Sequence, residues 1–279
     1  MPYLGYGTTR RLTVRGRVLE DQRWRPAADT DSRWRNLVRF WKHLESDEVP
    51  GARLRARFGD AAVEAVTDRE GYFRLELPVE VAAAWHPVAI DLLRPAGVGA
   101  VANVLVPSPR AQFGVISDID DTIITSNVRN KVRMVLTAAF NNPRTRKPVA
   151  GVREFYRALH ADGRNPFFYV SKSPWNLYPP LLEYLELQGL PPGPILLRDF
   201  GWRSNKNHKT ETIEDILRTY PALPFVLIGD SGEQDAQIYG DIARRFAGRI
   251  RAIYIRALRA EKARISMSSK AGASSALLK

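Results

Sequence analysis

Three apolar runs in this 279-residue chain each end in polar side chains that could carry out chemistry. The runs cover residues 113–117, 166–170 and 225–229, and the polar residues after them include Asp118, Asp120, Ser171, Lys172, Asp230 and Asp235. Lys209, between the second and third runs, begins a helical pattern. Carboxylates bind a divalent cation, and the cation, a lysine and a hydroxyl group neutralise the non-bridging oxygens of a phosphoryl group. The residue types therefore favour phosphoryl chemistry.

The first polar cluster concentrates negative charge, because Asp118, Asp120 and Asp121 lie within four residues of one another. Carboxylates this close repel each other, so either a metal ion lies among them or one of them keeps its proton. An acidic loop that only caps the following helix is the alternative interpretation.

The elements that must position these clusters are the buried strands of an α/β fold. Residues 113–255 alternate short β-rich runs with longer helical patterns, which is typical of a doubly wound parallel sheet. The carboxyl ends of the strands in such a sheet form one edge, where ligands bind. We therefore expect the polar clusters to meet at that edge.

The order and spacing of the clusters resemble the four motifs of the haloacid-dehalogenase superfamily of phosphohydrolases, with 53, 38 and 21 residues separating Asp118, Ser171, Lys209 and Asp230. Over residues 110–256 the chain more closely resembles the catalytic domain of the actin-patch-protein class of phosphatidate phosphatases. The strings that carry this resemblance are SDIDDTI at 117–123, YVSKSPWNLY at 169–178, RDF at 198–200, HK at 208–209 and IGDSGEQD at 228–235. The resemblance implies a Rossmann-like three-layer parallel sheet with a small helical cap.

The resemblance also implies roles for the carboxylates. Asp118 would be the nucleophile that forms an aspartyl-phosphate, and Asp120 would protonate the leaving group and then activate water. A magnesium ion would be held by Asp118, the main-chain carbonyl of Asp120, and Asp230. Asp235 completes this metal set, and we expect it to act from the second shell or through water.

Four further residues are candidates for binding the substrate phosphate. The resemblance implies that Ser171 donates to a phosphate oxygen and that Lys209 bridges the nucleophile and the phosphate. Lys172 stands where we would expect a small polar residue, and a second cation there could assist phosphate binding. Thr122 is a candidate too, although it could equally cap the next helix.

Residues 1–108 indicate a β-sandwich. A strand that ends at Thr67, the turn 68–71 and the alternating strand 72–77 indicate a hairpin with Gly71 in a left-handed conformation, as in transthyretin-like and carboxypeptidase-regulatory-like modules. Residues 31–46 indicate a helical insertion with Trp34 and Trp41 on its apolar face. This helix either packs on its own domain, which we favour, or lies on a membrane surface.

The rest of the chain completes a two-domain organisation. Prolines in 106–110 indicate a linker, and a phosphatase domain follows at 110–258. Residues 126–148 indicate a small cap with six cations and no acidic residue: Arg129, Lys131, Arg133, Arg144, Arg146 and Lys147. We expect residues 259–279, which are poor in large apolar side chains, to form a mobile tail.

The amino-acid composition limits the kinds of partner that the protein is expected to bind. The net charge of +12 favours polyanions or an anionic membrane surface as partners. The chain has no cysteine, which excludes disulfides and thiolate metal sites, and it has no apolar run that could cross a membrane. Its first residues lack the apolar stretch of a secretory signal. We therefore expect a cytoplasmic protein that contacts membranes peripherally.

Three function classes follow. The first is a magnesium-dependent phosphatase that converts phosphatidate, a phosphorylated lipid, into diacylglycerol and phosphate. The second is a phosphatase of the same chemistry that acts on nucleic-acid ends or soluble phosphomonoesters, but the sequence contains no recognisable nucleic-acid module. The third is a non-catalytic protein whose β-sandwich binds a partner, and the sequence does not identify that partner. The complete catalytic set disfavours the third class, and the resemblance favours the first.

Overall fold

A computed structural model describes residues 1–20, 48–94, 96–119, 123, 151–198, 207–231 and 234–257, together with the backbone of 274–278. The chain divides into two compact units, an N-terminal unit, Met1–Pro109, and a C-terminal unit, Arg110–Lys279. The predicted helical insertion at 31–46, the predicted cap at 126–148 and most of the predicted tail at 259–279 lie outside the described residues.

The described residues of the N-terminal unit form seven β-strands. They are β1 (Gly5–Thr8), β2 (Arg11–Arg17), β3 (Arg53–Phe58), β4 (Ala61–Val66), β5 (Tyr72–Pro78), β6 (Trp85–Arg94) and β7 (Ala96–Leu105). They are hydrogen-bonded as one sheet in the order β4-β3-β6-β7-β1-β2-β5, and only β1 and β7 pair in parallel. A β-sandwich remains compatible with this unit, although its described strands are bonded as a single sheet.

Alternation along each strand builds the core of this unit. In β5, Phe73, Leu75 and Leu77 are buried, whereas Arg74 is exposed and forms an ion pair with Glu76. Side chains of the same kind from β2, β3, β6 and β7 join them in one apolar cluster. Because successive residues of a strand point to opposite faces, the period-two pattern identifies the buried face from sequence.

The predicted hairpin between β4 and β5 is wrong. β4 pairs with β3, and β5 pairs with β2, so the two strands lie at opposite ends of the strand order. The turn itself forms as expected: Gly71 has φ +75°, and the Asp68 carboxylate accepts hydrogen bonds from the backbone N–H groups of Glu70 and Tyr72. The turn therefore joins two edges of the sheet, because a tight turn fixes chain direction locally without fixing strand partners.

The C-terminal unit is a mixed α/β structure around a six-stranded parallel sheet. Its strands are β8 (Gly114–Ser117), β9 (Phe167–Pro174), β10 (Ile195–Arg198), β11 (Phe225–Asp230), β12 (Ile250–Arg256) and β13 (Ser274–Leu278). Its described α-helices are α1 (Val152–His160), α2 (Tyr178–Leu187), α3 (His208–Thr219) and α4 (Asp235–Arg245). β8 and β11 are buried along their whole lengths, as expected for strands covered on both faces.

The strand order in this sheet is β10-β9-β8-β11-β12-β13. The chain therefore proceeds in one direction from β8 to β10 and in the other direction from β11 to β13. In open α/β sheets, ligands bind beyond the carboxyl ends of the strands at the point where this direction reverses. That point lies between β8 and β11.

Two findings bear on the sequence predictions of a mobile tail and of no membrane-spanning segment. β13 pairs with β12 in parallel, and it lies within the segment 259–279 for which the sequence predicts a mobile tail. Among the described residues, no helix is both long enough and apolar enough to cross a membrane.

Candidate active site

The carboxyl edge of the parallel sheet brings three of the predicted carboxylates together. Asp118 directly follows β8, Asp230 is the last residue of β11, and Asp235 begins α4. One carboxylate oxygen of each lies within 4.8 Å of the others. We call these three residues the acid cluster, and they lie at the point where the strand direction reverses.

Lys209 is the cation that contacts the acid cluster. It is the second residue of α3, and its Nζ lies 2.7 Å from Asp118 Oδ1 and 2.5 Å from Asp235 Oδ1. Lys209 and all three carboxylates are at most 1% exposed. The structure thus brings together, in one buried group, residues from three separate parts of the sequence: Asp118, Lys209, and Asp230 with Asp235.

The charges of this group are unequal. Lys209 offsets one of the three carboxylates. Arg256 of β12 pairs in register with Asp230 of β11, and if Arg256 is counted as well, the group still has three negative charges against two positive ones. Buried charges of one sign are costly unless they are paired or coordinate a metal ion. Carboxylate oxygens are also the ligands that hard divalent cations prefer. The donor set therefore fits a metal ion.

Asp235 is oriented from two sides. Its Oδ1 accepts the hydrogen bond from Lys209, and its Oδ2 accepts a long one, 3.4 Å, from the backbone N–H of Asp230. A Cβ on Gly229 would collide with the Asp235 carboxylate and would lie 2.8 Å from the Tyr239 ring. Gly229 is therefore required for the close approach of Asp235 to β11. Gly229 is not among the predicted site residues, and its signal in the sequence is a glycine inside an apolar strand beside Asp230.

A second group that the sequence analysis missed supports the main chain at Asp118. Ser117 Oγ donates to the Asp118 carbonyl at 2.7 Å, which leaves the Tyr156 hydroxyl, 2.6 Å away, as the donor to Ser117 Oγ. Tyr156 lies in α1, and both side chains are buried. Burial raises the pKa of Tyr156, and the nearby Asp118 charge raises it further, so the phenol keeps its proton at neutral pH.

A second buried tyrosine lies on the other side of the acid cluster. Tyr239 of α4 donates a hydrogen bond to the Ile228 carbonyl at 3.1 Å. Burial raises the pKa of Tyr239 well above its usual value, and the charge of Asp235 acts in the same direction. Both tyrosines therefore act as neutral donors that fix the main chain of β8 and β11 beside the carboxylates.

The remaining predicted site residues divide into two sets. Ser171 and Lys172 lie in β9, the strand next to β8. Ser171 is fully buried, and its Oγ accepts a hydrogen bond from the Ser173 N–H at 2.9 Å, whereas Lys172 is partly exposed. Asp120 and Thr122 lie outside the described residues.

Comparison with known proteins identifies a family over this region. The family model described as "Phosphatidate phosphatase APP1, catalytic domain" matches residues 113–257, slightly more than half of the chain. That range contains every predicted site residue.

Two fungal proteins align with the same region. Phosphatidate phosphatase APP1 of Saccharomyces cerevisiae is 37% identical over 151 residues, which cover 52% of this chain and 26% of that protein. An uncharacterized protein of Schizosaccharomyces pombe is 33% identical over 154 residues, which cover 53% of this chain and 25% of that protein. The matched region thus spans about a quarter of the length of each relative.

Similarity to solved structures is low. A carbohydrate acetylesterase from Xanthomonas citri aligns with a TM-score of 0.33 and 11% identity, covering 92% of this chain and 68% of that chain. A glucanotransferase from Paenibacillus aligns with a TM-score of 0.24. Neither alignment bears on fold or function.

Proposed function

This chain belongs to the family of phosphatidate phosphatase APP1 catalytic domains, and we propose that it is a magnesium-dependent phosphatidate phosphatase that releases phosphate and diacylglycerol. Family membership supports phosphoric monoester hydrolysis in general. The observation that carries the proposal is the buried acid cluster with Lys209, because this donor set suits a divalent cation and a phosphate ester. The strand order also supports a sheet of the haloacid-dehalogenase type.

Asp118 is the nucleophile in this proposal. One of its carboxylate oxygens attacks phosphorus, the bond between phosphorus and the glycerol oxygen breaks, and an aspartyl-phosphate forms. Asp120, two residues further along the chain, gives its proton to the departing alkoxide. It then accepts a proton from the water that cleaves the aspartyl-phosphate and regenerates Asp118.

Lys209 and the acid cluster prepare this attack. Lys209 holds one oxygen of Asp118 at 2.7 Å, which fixes the carboxylate and places a positive charge beside the site of phosphate binding. Asp118, the Asp120 carbonyl and Asp230 would hold magnesium, and Asp235 orients Lys209 and the Asp230 backbone. When bound, the ion supplies positive charge to the non-bridging phosphate oxygens. Ser171 would donate a hydrogen bond to one of them.

We also propose that the protein is cytoplasmic and binds anionic membranes peripherally. The net charge of +12 supports this proposal, because cations near an anionic surface contribute about 1 kcal/mol each. A phosphatase whose substrate stays in a bilayer must work at that surface.

The test compares three substrates with one purified full-length protein. Phosphate release is measured from phosphatidate in mixed micelles, from a 5′-phosphorylated oligonucleotide and from a soluble sugar phosphate, with and without EDTA. We expect turnover of phosphatidate, its loss in EDTA and its recovery with Mg²⁺. A preference for the oligonucleotide or the sugar phosphate would contradict the proposal that the substrate is a lipid. Full activity after exhaustive metal removal would contradict the proposed metal site.

A further inference from the structure

Arg198 is a cation at the carboxyl edge of the parallel sheet that has no role in the proposed reaction. It ends β10 and is partly buried. Its Nε is buried and has no hydrogen-bond acceptor among the described residues, and no described carboxylate forms an ion pair with it. A buried donor without an acceptor is costly, and a guanidinium group binds the paired oxygens of a phosphate or carboxylate especially well. Arg198 therefore suits an anionic ligand.

Lys172 lies on the same face of the sheet. Arg198 pairs in register with Pro174 of β9, after an irregularity that follows Leu196. Lys172 precedes Pro174 by two residues in the same strand, and residues two apart along a strand point to the same face. Lys172 and Arg198, which we call the basic pair, thus add positive charge on adjacent strands.

The basic pair lies beside the acid cluster. β9 lies between β10 and β8 in the sheet, and Asp118 follows β8. Because neighbouring strands are about 4.8 Å apart, the strand that carries Arg198 is about 10 Å from the strand that leads to Asp118. Arg198 can therefore bind an anionic group other than the one that Asp118 attacks.

We propose that Lys172 and Arg198 form a subsite for a second phosphate group, which is bound but not hydrolysed. The inference rests on the proposed function, because that function places the hydrolysed phosphate at the acid cluster. Two sources supply the same chemistry: the phosphodiester of a neighbouring anionic lipid, or free inorganic phosphate. A neighbouring lipid would make the enzyme faster on anionic surfaces, and free phosphate would make it sensitive to its own product.

The first experiment measures the response to a second anionic lipid. Phosphatidate in neutral detergent micelles is hydrolysed by the full-length protein with and without phosphatidylglycerol, which has a phosphodiester and no phosphomonoester. We expect phosphatidylglycerol to lower the apparent KM of the wild-type protein, and Arg198→Gln and Lys172→Ser to abolish this response. Loss of one charge-assisted contact should make the apparent KM that is measured with phosphatidylglycerol about tenfold higher in the variant than in the wild type. The kcat of Arg198→Gln on a soluble aryl phosphate should not change, because Arg198 has no role in the proposed reaction.

The matched control is Arg164→Gln. Arg164 is exposed and precedes β9, so it lies at the opposite edge of the same sheet. The Arg164→Gln substitution removes one positive charge from the same unit and should leave the phosphatidylglycerol response unchanged. Arg198→Lys keeps the positive charge but cannot bind two oxygens of one anion as a guanidinium group does, so it should retain part of the response. This variant also serves as the test if Arg198→Gln does not fold.

A second arm measures inhibition by inorganic phosphate. If the ligand is free phosphate, the inhibition constant rises in Arg198→Gln while phosphatidylglycerol has no effect on any protein. The inference is overturned if Arg198→Gln and Lys172→Ser match the wild type in both arms, or if they lose activity equally on the micellar and soluble substrates.

Calorimetric binding of a short-chain phosphatidylglycerol separates this inference from the proposed function. A wild-type protein that binds this lipid through Arg198 but hydrolyses no phosphomonoester would contradict the function and support the subsite. A protein that hydrolyses phosphatidate and binds the short-chain lipid equally with and without Arg198 would support the proposed function and contradict the subsite.

Discussion

At the scale of single residues, Gly229 sets how closely Asp235 approaches the sheet. A Cβ at this position would collide with the Asp235 carboxylate and crowd Tyr239. We expect Gly229→Ala to displace Asp235, and with it Lys209, so that more Mg²⁺ is needed for half-maximal activity. The melting temperature should also fall, because overpacking typically costs about 1–3 kcal/mol. Magnesium titration of activity and thermal unfolding measure the two effects.

Gly240→Ala is the control for this substitution. Gly240 lies within α4, and among the described side chains an added Cβ would approach the flexible end of Arg244, at 3.9 Å. Alanine is favoured over glycine in a helix interior by about 1 kcal/mol, so Gly240→Ala should raise the melting temperature and leave the magnesium response unchanged. A magnesium shift in Gly240→Ala as large as that in Gly229→Ala would show that the close approach at Gly229 is unimportant.

Asp118 carries buried negative charge in addition to its proposed role as nucleophile. Asp118→Asn should abolish phosphate release, because the amide is not a nucleophile for phosphorus in this reaction. In EDTA its melting temperature should be no lower than that of the wild type, because the substitution relieves repulsion within the acid cluster while Lys209 keeps its contact with Asp235. Mg²⁺ should stabilise the wild type more than the variant, since a ligand stabilises the state that binds it. Substantial turnover by Asp118→Asn would argue against covalent catalysis.

Sequence alone could indicate Asp118 and Asp230, because charged residues directly after apolar runs stand out, and it could indicate Lys209 at the start of a helical pattern between two such runs. It could not indicate Ser117 or Tyr156, whose contact forms between residues 39 apart and whose types are ordinary in a core. A buried tyrosine that only packs and one that holds the main chain of a proposed nucleophile look the same in a sequence. Their difference lies in a hydrogen-bond partner that the fold alone supplies.

At the scale of elements, His160 makes the end of α1 sensitive to pH. Burial lowers the pKa of His160, although Asp162 opposes this shift, and the ring packs against Phe167 of β9. The folded state therefore takes up a proton less readily than the unfolded state, whose histidine titrates near pH 6.5. Stability is fully present above that pH and falls as the pH drops towards the lowered pKa of the folded state. His160→Gln should reduce the loss of melting temperature between pH 7 and 5.5.

Strand partners were harder to predict than strands. The alternation in 72–77 correctly indicates the buried face of β5, since side-chain direction depends only on position along the strand. The partner of β5 is β2, which lies more than 50 residues earlier in the chain. Sequence proximity favours β4, but β4 pairs with β3, and side chains of both β2 and β4 pack on the apolar cluster that β5 joins. A local turn carries no information about such distant contacts.

At the scale of the whole molecule, the charge of +12 predicts a salt-sensitive association with anionic vesicles. Binding should rise with the fraction of anionic lipid and weaken as ionic strength increases, because screening at physiological salt acts over about 8 Å. Reversal of Arg144, Arg146 and Lys147 to Glu should reduce hydrolysis of vesicle-borne phosphatidate far more than hydrolysis of a short-chain soluble analogue. Vesicle co-sedimentation and the two activity assays measure these effects. Equal losses on both substrates would show that these cations shape the active site.

The central position of β8 in its sheet has a consequence for biosynthesis. β8 pairs with β9 on one side and with β11 on the other. Asp230, at the end of β11, lies more than 100 residues after Asp118, so the two carboxylates can meet only after that segment has been synthesised. Contacts between such distant segments form slowly. The described strands of the N-terminal unit, by contrast, end at Leu105. These strands can therefore pair early in synthesis, whereas the carboxylates of the acid cluster meet only after Asp230 has left the ribosome.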